Sequence, residues 1–277
     1  MTRTRNYLTL VAVTVASIAV AATPAAASVT LLDANSVTSF DLGSPRGLYS
    51  WLVDGREHLS QQWFWYRIGD TDPETSIDGL ALDDSVLSDL NNDGQEDTLY
   101  VRYLGTGLKM ELWFILAGGA PGSGASDIAE IIRITNTGDL SLDFHFFQYA
   151  DFDLSSDNDT IEITGGTAVM AGNTAHQTSP GACVAETVAT PRPSQHQVGL
   201  DGDILGLLDD AVATTLTGTS GPVTGDASWA FQWDKVLAPG YTLLISKDKN
   251  ITPEPATLAL MGIGMAAVLV VRRRRRK

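Results

Sequence analysis

From Ala256 to Val271 the chain carries no charged residue, and Arg272 to Arg276 and Lys277 follow without a break. Pro253, Glu254 and Pro255 stand directly before this apolar run. Its sixteen residues would make roughly 24 Å of helix at 1.5 Å per residue, short of the ~20 residues that a stable membrane span prefers. A block of positive charge resists translocation and stays on the cytoplasmic side, so the rest of the chain is expected outside. The other end agrees. Arg3 and Arg5 lead into an apolar run from about Tyr7 to Ala22, and Ala25, Ala26 and Ala27 supply the small residues of a signal-peptidase site. Cleavage after Ala27 is expected. Whatever folds is therefore the stretch between the two ends, and it folds without either of them.

The order of tripeptide, short apolar helix and arginine cluster resembles the PEP-CTERM sorting signal of bacteria that make exopolysaccharide. The resemblance implies that Pro253, Glu254 and Pro255 are read by a membrane transpeptidase of the exosortase type. It also implies a transient inner-membrane anchor, then delivery to the cell surface or extracellular matrix. An ordinary single-pass anchor would explain the apolar and basic parts but not the tripeptide. The expected division is a signal peptide over 1–27, a body over 28–249, and a sorting segment over 250–277 with its transmembrane helix at 256–271 and basic tail at 272–277.

Once the ends are set aside, Ser28 to Pro255 holds ten basic against thirty-three acidic residues, a net charge of −23. So acidic a body repels phosphate backbones and anionic lipid, and nucleic acid is excluded as a partner. Its length supports one large or two small domains with a real core. The single cysteine, Cys183, allows no internal disulfide, so the core itself must hold the fold together.

Within the body, apolar residues recur with the period of two that marks half-buried strands. Leu140, Leu142, Phe144 and Phe146 point one way, and Ser141, Asp143 and His145 the other; Phe147, Gln148 and Tyr149 break the pattern and suggest a bulge. Thr98 to Leu104 and Leu108 to Ala117 read as a hairpin turned at Gly105, Thr106 and Gly107. Trp229 to Val236 and Tyr241 to Ser246 read as a closing hairpin turned at Ala238, Pro239 and Gly240, with Lys247 to Thr252 as a polar tether. In a strand, Trp63 and Trp65 share one face, and Phe64 and Tyr66 the other. Aromatics of this kind fill cores and favour strands, which is the leading reading, but only one pair need be buried, and the other could stack on a sugar. The glycines from Gly118 to Gly124 precede a strand-like segment rather than a helix and are read as a loop. Gly165 to Gly225 is rich in Thr, Gly and Ser and is a candidate accessory subdomain. The fold class expected is all-β, an antiparallel β-sandwich of about ten strands, of jelly-roll or immunoglobulin-like type. The run from Ala129 to Leu154 resembles a family of secreted PEP-CTERM proteins of unknown function, and the resemblance extends to Trp229 to Lys249.

The sharpest chemical motif is Asp89, Asn91, Asp93, Gly94 and Asp97, spaced D-x-N-x-D-G-x-x-D. Calcium takes six to eight oxygens, and alternating acidic side chains around a glycine turn can wrap one. Asp89, Asn91 and Asp93 would give side-chain oxygens, Gln95 its carbonyl, and Asp97 a direct or water-mediated contact. The stretch resembles the calcium loops of EF-hand and dockerin proteins but places Tyr100 where an EF-hand has its bidentate Glu. A weak Ca²⁺ site is expected, with a metal-free Asx-rich turn as the alternative. No catalytic pattern accompanies it. His58, His145, His176 and His196 are dispersed without H-x-x-x-H spacing, and no serine lies in a G-x-S-x-G elbow. Among so many acids, some pair will stand at glycosidase spacing by chance. The leading expectation is thus a non-enzymatic, exported surface or matrix protein associated with exopolysaccharide or biofilm. The alternative is a calcium-dependent carbohydrate-binding or carbohydrate-active module.

Overall fold

The structure, a computed structural model, describes residues 28–154, 159–200 and 202–253. The signal segment 1–27, Glu254, Pro255, the helix expected over 256–271 and the basic tail 272–277 lie outside the described residues. Among the described residues no helix is long and apolar enough to cross a membrane.

The first strands are β1 Ser28–Asp33, β2 Ser36–Asp41, β3 Gly47–Val53, β4 Arg56–Glu57, β5 Gln61–Ile68, β6 Thr75–Ser76, β7 Ala81–Ser88, β8 Thr98–Gly105 and β9 Leu108–Gly118. There follow β10 Ser126–Asn136, β11 Leu142–Asp151, β12 Thr160–Thr164, β13 Thr174–Ser179, β14 Ala182–Thr190, β15 Gln195–Leu200, β16 Val223–Thr224, β17 Ala227–Leu237 and β18 Thr242–Thr252. A short 3₁₀ turn, Ile77–Gly79, and one helix, α1 Asp203–Leu208, complete the described elements. One sheet runs β1-β2-β3-β5-β11-β17-β15, with β4 added to β3 and β6 to β5; the other runs β16-β12-β13-β14-β18-β10-β9-β8-β7. All pairs are antiparallel except β3 with β5, which meet only at Gly47 and Leu48 against Gln62.

The sheets pack face to face. Phe40 and Phe64 of the first meet Phe114 of the second at ring-centroid distances of 4.8 and 6.3 Å. Trp51 Nε1 donates to Ser126 Oγ at 3.0 Å, and Tyr103 Oη donates to the Leu42 carbonyl at 2.7 Å. Each sheet has nine strands, so the sandwich is larger than the ten or so strands expected. It also exceeds the seven to nine strands of an immunoglobulin domain and the eight of a jelly roll.

The expected β8–β9 hairpin is present, with Gly105 opposite Leu108. Three other expectations are corrected. β17 and β18 do not pair as a closing hairpin: β17 lies between β11 and β15, and β18 between β10 and β14. Each of these eleven-residue strands gains two ladders in its own sheet, where a mutual hairpin would give it one. The chain around Pro239 is therefore a corner between sheets. Second, Lys247 to Thr252 is not a tether but the second half of β18, with Lys247, Lys249 and Ile251 buried. Third, Phe147 to Tyr149 form no bulge. β11 runs in unbroken register from Phe144 to Asp151 against β5, and both of its faces are covered. The stretch 165–225 supplies β13, β14 and β16 to one sheet and β15 to the other.

Candidate functional site

The residues expected to hold calcium form a self-capped turn. Asp89 accepts from the amides of Asn92, Asp93 and Gly94, and Asp93 Oδ1 accepts from Gln95 N at 2.8 Å. Asn91 Oδ1 accepts from Asp93 N at 2.9 Å, while its amide donates to Asp33 Oδ1 at 3.0 Å. Asn92 and Gly94 adopt positive φ, as a tight Asx-rich turn demands. Asp97 is buried and accepts from Leu90 N, Asn91 N and the Thr98 hydroxyl. Of the sorting tripeptide, Pro253 is described and exposed.

The aromatic run lies in the core and offers no sugar platform. Trp63, Phe64 and Trp65 are at most 1% exposed, and Tyr66 is half-buried. Phe64 stacks on Phe146 and Tyr66 on Phe144 on the inner face. On the other face, Trp65 meets Tyr149 edge-on and donates Nε1 to Asp209 Oδ1 at 2.9 Å, in the segment that follows α1. Sequence alternation assigns residues to faces, but only the cover contributed by residues 203–217 decides that both faces are dry.

At the end of the same outer face stands a titratable cluster. Register places Arg67 of β5, His145 of β11 and Asp234 of β17 in one row across three adjacent strands. His145 Nδ1 lies 2.6 Å from Asp234 Oδ1, which also accepts from Gln232 Nε2 at 2.7 Å. Asp70 and Asp143 face the other ring nitrogen. Asp70 is brought there by the turn after β5, where Gly69, at φ +80°, donates its amide to the Asp143 carbonyl at 2.7 Å. Arg67 turns away to Glu74, at 2.6 Å, and to the Thr214 carbonyl. Nothing in the linear spacing of positions 70, 143, 145 and 234 announces this arrangement.

Beside this row lies a cavity of about 300 Å³ lined by Thr167 to Ala171, Ser194, Gln195, His196 and Gly218. Ser194 Oγ accepts from Asp234 N at 2.9 Å, so the cavity adjoins the His145 cluster. His196 Nδ1 accepts from Gly172 N at 3.1 Å, which leaves the proton on Nε2 to be donated to Ser220 Oγ at 2.8 Å. Burial holds its pKa below the ordinary histidine value, so the ring is a neutral, fixed wall at pH 7.

A second charged cluster lies sealed between the sheets. Glu130, Glu186, Lys247 and Lys249 have side chains that are 0% exposed. Lys247 Nζ is 2.7 Å from Glu130 and 2.9 Å from Glu186, and Lys249 pairs with Glu130 and Gln62. Trp229 Nε1 and Gln148 Nε2 donate to Glu186 across the sandwich, at 2.8 and 3.3 Å. Burial pulls Lys249 down to about 8. It pushes Glu130 up, but Lys247 and Lys249 together hold that carboxyl below its usual range. Two positive and two negative groups cancel, and the enclosure denies them a substrate. We assign the cluster to the scaffold.

A PEP-CTERM protein-sorting motif matches residues 252–276. The chain thus carries the sorting signal that its tripeptide, apolar run and arginines resemble, and the motif implies export with a C-terminal anchor before processing by an exosortase-type enzyme. No curated protein sequence matches the chain. In structure, the body is similar to a protein from Escherichia coli K12 described as an aldose 1-epimerase, with a TM-score of 0.51 and 12% identity over 82% of this chain and 99% of that one. The Slr1438 protein from Synechocystis sp. PCC 6803 gives a TM-score of 0.56 and 11% identity over 82% and 96% of the two chains. A bacterial glucoamylase complexed with acarbose gives 0.55 and 9% identity; there the match spans 83% of this chain but only 32% of the enzyme. At these identities the likeness is one of fold. It nonetheless overturns the expectation of a non-enzymatic surface or matrix protein tied to exopolysaccharide or biofilm. The body is built on an architecture shared with a protein described as an aldose 1-epimerase and with a glucoamylase.

Proposed function

We propose that residues 28–253 form an exported carbohydrate-active domain that engages sugar at the cavity bounded by Thr167, Ser194, Gln195 and His196. The observation that carries this reading is the fold, shared over 82% of the chain with a protein described as an aldose 1-epimerase. The cavity supports it. At about 300 Å³ it has the size of a small ligand pocket, and its wall offers hydroxyl, amide and imidazole groups of the kind that satisfy sugar hydroxyls. Ser194 in its wall accepts from Asp234 N, which ties the cavity to the strand that carries Asp234.

The test is to screen the purified full chain against monosaccharides and oligosaccharides by calorimetry, with polarimetry for mutarotation and reducing-sugar release for hydrolysis. Saturable binding or turnover that falls at least tenfold in Gln195→Ala, with an unchanged melt, is expected. Absence of both binding and turnover across the panel overturns the reading. We further propose that the Asp89–Asp97 turn takes Ca²⁺ weakly, since half-buried Asp89 and exposed Asn91 and Asp93 stand at alternate positions of the turn.

A further inference from the structure

We propose that Asp70, Asp143 and His145 form a binding site for a divalent cation of the zinc type. Each offers one ligand atom, and the three atoms lie within 4.8 Å of one another. His145 Nε2 is 3.6 Å from Asp70 Oδ1 and 3.8 Å from Asp143 Oδ1. These separations are too long for hydrogen bonds. They suit two ligand atoms that share one ion at about 2.0–2.2 Å each, which stand roughly 3–4 Å apart depending on the bond angle.

The ring itself supplies the independent observation. Its side chain is 9% exposed, and Nε2 is buried with no hydrogen-bond partner. Buried polar atoms are nearly always partnered, so an orphan of this kind calls for a ligand. The tautomer is fixed from the far side. A carboxylate can only accept, so the 2.6 Å contact from Nδ1 to Asp234 Oδ1 puts a proton on Nδ1, and the neutral ring then carries its lone pair on Nε2. That lone pair points at the two remaining carboxylates. Metal-binding histidines are oriented in the same way, by a carboxylate on the nitrogen that does not touch the ion.

The surroundings allow a cation to enter and stay. Arg67, opposite His145 in register, has its charge met by Glu74 at 2.6 Å. Asp70 is 81% and Asp143 49% exposed at the side chain, which leaves a solvent side where water completes the coordination. A ring nitrogen with two carboxylates favours zinc over calcium, whose ligands are all oxygen. The site stands whether or not the body acts on sugar.

The test uses the full chain stripped with EDTA and titrated with ZnCl₂ by calorimetry, with CaCl₂ and MgCl₂ in parallel. One equivalent of zinc is expected to bind, with a Kd at least tenfold below those of calcium and magnesium. His145→Ala should abolish it, and Asp234→Asn should weaken it about 10- to 100-fold while the stoichiometry is kept. Asp70→Asn changes an exposed side chain and leaves folding intact, so it serves as the decisive variant; at least a tenfold loss of affinity is expected. No saturable zinc binding up to 1 mM overturns the proposal, as would arise if a protonated ring were simply held among the carboxylates. Unchanged affinity in Asp70→Asn overturns it equally.

Discussion

Lys247 Nζ lies 2.7 Å from Glu130 Oε2 between the two sheets, and neither side chain has any exposure to solvent. The two residues are direct partners in the β10–β18 register, one step from the partner pair Glu186 and Lys249 on β14 and β18. Removing one member of such a set leaves a buried charge without compensation, which typically costs about 3–5 kcal/mol. Glu130→Met should therefore lower stability by about that amount. Glu130→Met with Lys249→Met, which leaves one Glu and one Lys, should recover most of it, because apolar replacement of a buried pair is often neutral or better. Denaturant melts of the single and double variants decide this, and equal losses in both would contradict it.

The same cluster sets a pH dependence. Lys249 is held at about 8 in the folded chain against an ordinary value of 10.5. Between those values the unfolded chain binds a proton that the folded chain does not, so stability rises with pH across that window. Tyr103, raised by burial, acts in the opposite direction once unfolded tyrosines ionise near pH 10. The rise should thus be seen from about pH 8 to 9.5, and it should vanish in Glu130→Met with Lys249→Met.

His196 gives the acid-side counterpart. Burial lowers its pKa below 6.5, so the unfolded chain takes up a proton first as pH falls, and folded stability drops below about pH 6.5. His196→Gln should flatten that part of the profile. A slope unchanged from the parent chain between pH 5 and 6.5 would assign the effect elsewhere.

For the aromatic run the structure predicts a core phenotype. Trp65→Ala should cost about 3–5 kcal/mol, and it should do so without sugar present. A stable Trp65→Ala chain that had merely lost carbohydrate affinity would restore the stacking role that burial denies it.

At the Asp89–Asp97 turn, millimolar calcium should raise the melting temperature, and Asp93→Ala should abolish the rise. An unchanged melt would leave only the turn. Asp97→Ala should be destabilising in either case, by about 1–3 kcal/mol, because three donors lose a buried acceptor.

Much of the architecture was legible in the order of residues. Period-two alternation identified the β8–β9 hairpin and the two faces of β11. The tripeptide, apolar run and arginines identified the sorting signal, because an address read by a membrane enzyme must be local in sequence. The number of strands and the partners of β17 and β18 were not legible. A strand's own pattern says that one face is buried, but not which strand lies beside it. Lys247 and Lys249 show the cost of that limit. Both occupy inward positions of a clean alternation, but charge made them look like a solvated tether until Glu130 and Glu186 were placed opposite them. The aromatic run was assigned to faces correctly, yet the segment that dries its second face comes from around 203–217, more than a hundred residues away. The His145 cluster needed still more, since it joins a turn after β5, two positions of β11 and one of β17. Local sequence fixes conformation and address because those depend on neighbours a few residues apart. The buried charges and the proposed metal ligands depend on strand register between distant segments, and only the tertiary structure decided that.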